Sequence, residues 1–255
     1  MRNLIENKKV TDKIKDLCND SINENCGLIL LSGKKILVEA CRNVAKDPFN
    51  YFLISNKEIS EKSKLGKIIA YYHSHLIGSE PSADDIFVLN KLNLPCIIYD
   101  LNSKSFNQIN PNPDLRLDLI GRPFLPGYLD CSELVRDYYL ERKNIILPKL
   151  DHPIKYMSWE QILEDWDNLQ EMNDENYNFL ENYFISNGFE ETDGKPLKDG
   201  DIILCKAKEI KAPVHCMIYV YKDQVLHHPS QRRSILETYS NFYKRLSVKF
   251  IRHKG

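Results

Sequence analysis

A proline-containing polar stretch near the middle of the chain limits its fold more than any other feature. Residues 110–118 read NPNPDLRLD, with two prolines close together, a composition typical of a stiff, solvent-exposed connector. The 255 residues are enough for two domains of the usual size of about 100 to 150 residues. We therefore predict a first domain over residues 1–109, a linker over residues 110–118 and a second domain over residues 119–255.

The charge balance and the apolar content argue against two classes of partner. Lys and Arg number 35 and Asp and Glu number 36, which gives a formal net charge of -1 and no basic field for binding nucleic acid. No apolar run approaches the ~20 residues that a membrane helix needs, so we expect no membrane span. The first residues, MRNLIENKKVTDKI, lack the apolar core of a secretory signal, so we expect synthesis in a cytoplasm.

The first 109 residues alternate helix and strand patterns. A helix is predicted in VTDKIKDLCNDSINE, where Val10, Ile14 and Leu17 recur at helical spacing. GLILLSG and KKILVEACRNV are typical of paired strands around a turn at Ser32 and Gly33. Two further strands are predicted in KIIAYYHSH and LPCIIYDL, with a helix in ADDIFVLNKL between them. This order predicts a mixed α/β fold with a central mixed sheet and flanking helices.

The second half places helices before strands. Helices are predicted in SELVRDYYLERKN, WEQILEDW and ENYNFLENYFI, and successive strands in DGDIILCK, HCMIYVYKD and QVLHH. This order is typical of an α+β fold, in which helices pack on an antiparallel sheet. An insert rich in acids and aromatic residues, residues 158–187, has no assigned role.

Two histidines and an aspartate have spacing suited to a metal ion. His73 and His75 lie two apart at the end of a predicted strand, where alternation places both on one face. Asp85 follows at a helix start and could add an oxygen ligand, which leaves a fourth position for water, as in catalytic zinc sites. Glu24, in ENCG, is a candidate general base. A plainer interpretation is also open, because Ser82-x-x-Asp85 is a capping-box pattern and His-x-His pairs occur on ordinary strand surfaces.

The segments around these residues carry a family resemblance. ENCGLIL followed by HSHLIGSEPSADD resembles the JAMM, or MPN, metallopeptidases, and RNVAKDPFNYFLI resembles the segment between those motifs. The resemblance implies a cytidine-deaminase-like sheet and a Zn2+ site. The implied roles are zinc ligands for His73, His75 and Asp85, the base for Glu24 and stabilisation of an oxyanion for Ser82. The pattern departs from the family at Leu76, where proline is usual, and such a donor set accepts several divalent ions.

A second group of residues has the chemistry of a cysteine hydrolase. Cys131, in LDCSELVRDYY, stands at the first turn of a predicted helix, where backbone N–H groups and the helix dipole lower a thiol pKa. His215 could serve as the base, and His227 on the following strand could orient it. His228 competes for that third role, since the sequence does not fix the strand register. The plainer alternative is a buried thiol and an exposed pair of histidines.

Three segments in order resemble the NlpC-type papain-like peptidases: GRPFLPGYLDCSELVRDYY, PLKDGDIILC and HCMIYVYKDQVLHH. The resemblance implies a papain-like fold with Cys131 as the nucleophile, His215 as the base and His227 as the orienting residue. It also implies peptidoglycan stem peptides as substrates, commonly cut between D-glutamate and a diamino acid. The sequence departs from the family at Phe124, Glu133 and Cys216.

The order of the two modules resembles the tail-tip assembly proteins of lambda-like long-tailed phages. This resemblance implies a protein made in the host cytoplasm that acts at the virion tail tip, with tail-tip proteins as partners and peptidoglycan stem peptides as substrates. The zinc site would then act on a peptide or isopeptide bond, for example in a tail protein. Three alternatives stay open: a structural tail-assembly component that retains its sites, a cellular wall-remodelling endopeptidase, and a ubiquitin-directed isopeptidase.

Overall fold

The computed structural model describes residues 3–18, 22–112, 114–115, 117–125, 127–150, 178–206, 213–230 and 232–255. These residues divide into two compact units, one ending near residue 116 and one beginning at Leu117. In the described residues the first unit has a five-stranded sheet and the second a six-stranded sheet. The predicted mixed α/β class with two sheets is therefore confirmed, while the limits of the domains and linker stay predictions.

The first unit is a sheet covered by helices on both faces. Its elements are, in chain order, α1 (Lys8–Leu17), β1 (Cys26–Ser32), β2 (Lys35–Cys41), α2 (Asn56–Ser63), β3 (Lys67–His75), α3 (Ala83–Leu92), β4 (Cys96–Asp100) and β5 (Phe106–Ile109). The strand order is β2-β1-β3-β4-β5. The pair β3 and β4 is parallel and the other pairs are antiparallel.

Alternation along β1 explains the two layers of this unit. Ile29 faces one side, where Val10 and Ile14 of α1 join its apolar cluster, because successive strand residues point to opposite faces. Leu30 faces the other side and belongs to a cluster that includes Leu89 of α3. Because α3 lies over the sheet, its first turn comes next to the end of β3, where the two histidines of the predicted metal site stand.

The second unit packs helices on an antiparallel sheet. Its elements are α4 (Cys131–Tyr138), a π-helical turn (Tyr139–Lys143), α5 (Phe179–Ser186), β6 (Phe189–Thr192), β7 (Ile202–Lys206), β8 (Pro213–Val220), β9 (Gln224–His227), β10 (Ile235–Thr238), α6 (Asn241–Leu246) and β11 (Ser247–His253). The strand order is β10-β9-β8-β7-β11-β6, with every pair antiparallel. Leu134 and Val135 of α4 and Phe184 of α5 share an apolar cluster with Cys216 and Ile218 of β8, so β8 runs under α4.

Several elements differ from the sequence predictions. The β1–β2 turn lies at Gly33 and Lys34 rather than at Ser32 and Gly33, because Ser32 still pairs with Lys35. Gly33 takes the positive φ of 58° that glycine adopts without steric cost. The helix predicted in SELVRDYYLERKN begins at Cys131 and continues from Tyr139 as the π-helical turn.

Other predictions fall partly or wholly outside the described residues. The helix predicted in WEQILEDW, residues 159–166, and residues 158–177 of the insert lie outside them. Within the rest of the insert, α5 corresponds to the end of ENYNFLENYFI. In the parts of the chain that the structure describes, no helix has the length and apolar character needed to cross a membrane.

Candidate functional site

The two histidines and the aspartate of the first unit come together at the end of β3. The Nε2 atoms of His73 and His75 lie 2.9 Å apart. The Asp85 carboxylate places Oδ1 3.3 Å from Nε2 of His73 and Oδ2 3.6 Å from Nε2 of His75. The ligands of a tetrahedral zinc ion with bonds of about 2.0 to 2.1 Å are about 3.3 Å from one another. The three side chains therefore fit a three-ligand metal site.

The surroundings of His73 suit a metal ligand. The ring is buried and stacks on Phe52, with 4.4 Å between ring centroids. Its Nδ1 lies 3.5 Å from Sγ of Cys96, so Nε2 is the nitrogen that faces the other ligands. Burial lowers the pKa of His73, which keeps the imidazole neutral, the form that binds metal ions.

Ser82 joins this group through the start of α3. Its Oγ accepts a hydrogen bond from the Asp85 backbone N–H at 3.1 Å and donates one to Asp85 Oδ2 at 2.7 Å. The Ser82 backbone N–H also donates to Oδ2, at 2.8 Å. The capping box of the plainer interpretation is thus present, and the same bonds fix the Asp85 carboxylate. Burial opposes its charge, but bonds from His73, His75 and Ser82 outweigh burial and lower the pKa of Asp85.

Glu24 lies beside His73, His75 and Asp85, on the segment that leads into β1. Its Oε1 is 3.8 Å from Nε2 of His75. The backbone N–H of Glu24 donates to the Pro48 carbonyl at 2.7 Å, and its carbonyl accepts from Nδ2 of Asn43 at 2.9 Å. Burial raises the pKa of Glu24 to about 7, against the opposing charge of His75. A carboxyl group with this pKa can take up and release a proton near neutral pH, as a general base must.

Cys131 is the first residue of α4 and is half-buried. Asp130 is the N-cap and accepts hydrogen bonds from the backbone N–H groups of Ser132 at 3.0 Å and Glu133 at 3.1 Å. The Cys131 sulfur makes a hydrogen bond with the Cys216 thiol and another with His215. The bond with Cys216 is the larger effect, and together the two outweigh burial and hold the pKa of Cys131 well below its ordinary value. Sequence reasoning noted Cys216 as a departure from the family but missed its contact with the thiol.

His215 and His227 are neighbours across the β8–β9 pair. Met217 stands opposite His227 in the register, and His215 lies two residues before Met217, so both imidazoles share one face of the sheet. Nε2 of His215 lies 3.0 Å from Nδ1 of His227. Because Nε2 of His215 faces His227, its Nδ1 is the nitrogen that can face Cys131.

His228 occupies a different environment from His227. It is buried, and within the described residues neither of its ring nitrogens has a hydrogen bond to another side chain. Its ring meets Phe124 edge-on, with 5.3 Å between centroids, and burial lowers the pKa of His228 to about 4. His227 is therefore the histidine that contacts His215.

A carboxylate that sequence reasoning missed completes this row. Glu237 of β10 places Oε1 2.6 Å from Nε2 of His227. The hydroxyl of Tyr243 on α6 donates to the same oxygen at 2.6 Å. No local sequence signal marks Glu237, because its contact with His227 depends on the β9–β10 register.

Comparison with known families identifies the second unit. Residues 121–252, just over half of the chain, match the model of the NlpC/P60 family. The chain belongs to the NlpC/P60 family. The NlpC/P60 match contains Cys131, His215 and His227 and confirms the NlpC-type resemblance predicted from sequence. It does not extend to His73, His75 and Asp85 of the first unit, whose JAMM resemblance stays a prediction.

This NlpC/P60 protein is also similar to a phage protein along most of its length. It is 26% identical over 232 residues to the "Tail tip assembly protein K" of Escherichia phage N15, covering 91% of this chain and 88% of the relative. This similarity confirms the predicted resemblance to phage tail-tip assembly proteins.

Two solved NlpC/P60 structures are similar at low identity. One, from Bacillus cereus, is 15% identical, with a TM-score of 0.34 over 98% of this chain and 67% of that one. The other, an NLP/P60-family protein described as similar to a lipoprotein, from Staphylococcus aureus, is 15% identical with a TM-score of 0.32 over 53% of this chain. The chain spans 37% of the length of the staphylococcal protein.

Proposed function

We propose that this NlpC/P60 protein is a cysteine endopeptidase that cleaves peptidoglycan stem peptides at the tail tip of a phage virion. The observation that carries the proposal is the placement of Cys131 at the start of α4, in contact with His215 and within the NlpC/P60 match. The similarity to the tail tip assembly protein of phage N15 supports the tail setting. Tail-tip proteins are the proposed partners, and the host cytoplasm the proposed place of synthesis.

The first step is activation and attack by the thiol. The Cys131 proton passes to Nδ1 of His215, and the low pKa of Cys131 favours this transfer. The thiolate then attacks the carbonyl carbon of the scissile amide and forms a C–S bond, while the carbonyl π electrons move to oxygen. Cys131 is the first residue of α4, and the backbone N–H groups of a first helical turn have no acceptor within the helix. The Cys131 N–H can therefore donate to the developing oxyanion.

Two stages complete the reaction: loss of the amine and hydrolysis of the thioester. The C–N bond breaks, and His215 gives its proton to the leaving amine, which leaves a thioester on Cys131. Water gives a proton to His215 and attacks the thioester carbonyl carbon. The C–S bond then breaks, the product leaves as a carboxylic acid, and His215 returns the proton to the Cys131 thiolate. His227 holds the His215 ring through Nε2 during both stages.

We propose that the first unit holds a zinc ion at His73, His75 and Asp85 and acts on a peptide or isopeptide bond, such as one in a tail protein. The support is the ligand spacing of 2.9 to 3.6 Å together with the JAMM resemblance. When bound, zinc would act as a Lewis acid and make water nucleophilic at neutral pH. Glu24, with its pKa near 7, is the residue that would hold the transferred proton, and Ser82 keeps Asp85 in place.

Release of new amino groups from purified peptidoglycan tests the main proposal. Wild-type protein should release them, and Cys131→Ala should reduce the release to background. Two matched variants should retain it: Cys205→Ala, which removes a buried thiol from β7, and His73→Ala, which alters the first unit. Chelators should not lower the release. Undiminished release by Cys131→Ala, or no release by the wild type, would contradict the proposal.

A further inference from the structure

Three side chains form a diagonal row across β8, β9 and β10. Ile235 stands opposite His227, and Glu237 follows two residues later, so Glu237 lies on the same face as His227. His215 is the diagonal neighbour of His227 on the other side, at β8. The row therefore leads from Cys131 through His215 and His227 to a carboxylate.

The hydrogen bonds of this row fix where the protons lie. A carboxylate only accepts hydrogen bonds, so the 2.6 Å contact with Glu237 places the His227 proton on Nε2. Nδ1 of His227 is then an acceptor, and at 3.0 Å it takes the Nε2–H of His215. A neutral His215 with its proton on Nε2 has a free lone pair on Nδ1. That nitrogen is the one that must accept the thiol proton.

Glu237 is itself held in place. The Tyr243 hydroxyl donates to Oε1 at 2.6 Å, and the Tyr243 ring meets His227 edge-on at 5.1 Å between centroids. Burial opposes the charge of Glu237, but the bonds from Tyr243 and His227 outweigh it and lower the pKa of Glu237. The carboxyl group is thus ionised and directed at His227.

We propose that Glu237 is a positioning residue of the cysteine site, which selects the His227 tautomer that leaves Nδ1 of His215 free to take the thiol proton. The inference rests on the proposed cysteine peptidase function. Once His215 is protonated, the Glu237 carboxylate also stabilises the imidazolium through His227. Loss of Glu237 therefore weakens the ion pair of His215 with the Cys131 thiolate.

Other titratable groups of the described residues lie near both ends of the row. Beside the thiol are Cys205, Cys216 and His228, and beside Glu237 are Tyr243 and Arg232. None of these groups is altered in the variants that test Glu237, so a change in thiol pKa reports on the row itself.

The test measures the alkylation rate of Cys131 by iodoacetamide as a function of pH in the full chain, by mass spectrometry of the Cys131 peptide. Wild type should show a midpoint well below the ~8.5 of a free thiol. Glu237→Leu should raise the midpoint by about one unit, which corresponds to a tenfold weaker ion pair, and lower kcat on a stem peptide with little change in KM. Glu237→Gln should be intermediate, because its amide oxygen still accepts from Nε2–H but carries no charge.

A matched control separates this effect from general damage. Glu190→Leu removes an acid from β6 of the same sheet and should leave the midpoint at the wild-type value. Nitrogen chemical shifts of His227 give a second readout: the Nε2–H tautomer in wild type, and a mixture of tautomers in Glu237→Leu. Thermal unfolding of each variant checks that the second unit is folded, and Glu237→Gln, nearly isosteric, keeps the test decisive if the leucine variant unfolds.

The outcomes for the two proposals are distinguishable. In one outcome the wild-type midpoint is low, neither Glu237→Leu nor Glu237→Gln shifts it, and the His227 tautomer is unchanged. This outcome overturns the role of Glu237 and leaves the peptidase proposal standing. A wild-type Cys131 that is alkylated like a free thiol overturns both. A Cys131→Ala protein that still cleaves peptidoglycan overturns the peptidase proposal, and with it the role given to Glu237.

Discussion

Replacing Ser82 with alanine should destabilise the first unit more than the same change at Ser55. Both serines are helix N-caps. Ser55 Oγ accepts the Glu58 backbone N–H at 3.2 Å. Ser82 Oγ accepts the Asp85 N–H at 3.1 Å and also donates to the buried Asp85 carboxylate at 2.7 Å.

The magnitude follows from the bonds that each change removes. Loss of an N-cap oxygen costs about 1 kcal/mol of unfolding free energy, and this applies to both sites. At Ser82 the change also removes a hydrogen bond to a charged group, worth about 1.5 kcal/mol or more. Ser82→Ala should therefore cost about 2.5 kcal/mol and Ser55→Ala about 1 kcal/mol. Ser82→Thr keeps the hydroxyl and should stay close to wild type.

Hydrogen exchange read by mass spectrometry assigns these changes to their helices. The peptides that cover α3 and α2 should lose protection in Ser82→Ala and Ser55→Ala respectively, with the larger loss in α3. Chelator is present throughout, so that metal binding does not add to stability. Equal losses at the two sites, or an unprotected α3 in Ser82→Thr, would refute the argument that the hydroxyl supports Asp85.

Three further changes follow from the two sites. Cys216→Ala should raise the pKa of Cys131 by about one unit, because the thiolate loses a hydrogen bond worth at least ~1.4 kcal/mol, and the pH profile of Cys131 alkylation measures this; an unshifted profile would count against the contact. His73→Ala should lose bound zinc while wild type retains it after dialysis, by elemental analysis, and equal zinc content would contradict the proposed ligands. His228→Leu should remove a pH-dependent loss of stability. The pKa of His228 is 6.5 in the unfolded chain and about 4 in the folded one, so the unfolded chain binds the extra proton between these values. Stability is therefore lost as pH falls from 6.5 to 4, by at most about 3.4 kcal/mol. Urea unfolding at pH 7 and pH 4.5 measures it, and an unchanged pH dependence in His228→Leu would refute it.

The parts of the sites that sequence predicted are those fixed by local spacing. His73 and His75 are two apart on one strand, and Ser82 and Asp85 are three apart at a helix start, so their relation follows from strand and helix periodicity. Cys131 at the first turn of α4 follows in the same way from the LDCSELV pattern. Each of these placements needs knowledge of one element only.

The parts that sequence could not give depend on contacts between elements. Glu237 reaches His227 through the β9–β10 register, and Cys216 reaches Cys131 because β8 runs under α4. Phe52 stacks on His73 from a segment between two elements. Pairing registers and helix packing are set by tertiary structure, so these residues carry no signal in their own neighbourhood.

The same reasoning explains the errors in element boundaries. The turn after β1 lies one residue later than predicted, because Ser32 pairs with Lys35 and the turn is formed by Gly33 and Lys34. The helix that begins at Cys131 changes to a π-helical turn at Tyr139, and the Tyr139 hydroxyl donates to the Gly200 carbonyl at 2.7 Å. Helix periodicity alone holds no information on that long-range bond.

Intact-mass spectrometry during turnover tests the central claim most directly. Protein mixed with a stem peptide and quenched in acid should carry the acyl fragment of the peptide as a thioester on Cys131, and the adduct should be absent in Cys131→Ala. Turnover without any adduct on Cys131, or turnover that continues in Cys131→Ala, would contradict the assignment of Cys131 as the nucleophile.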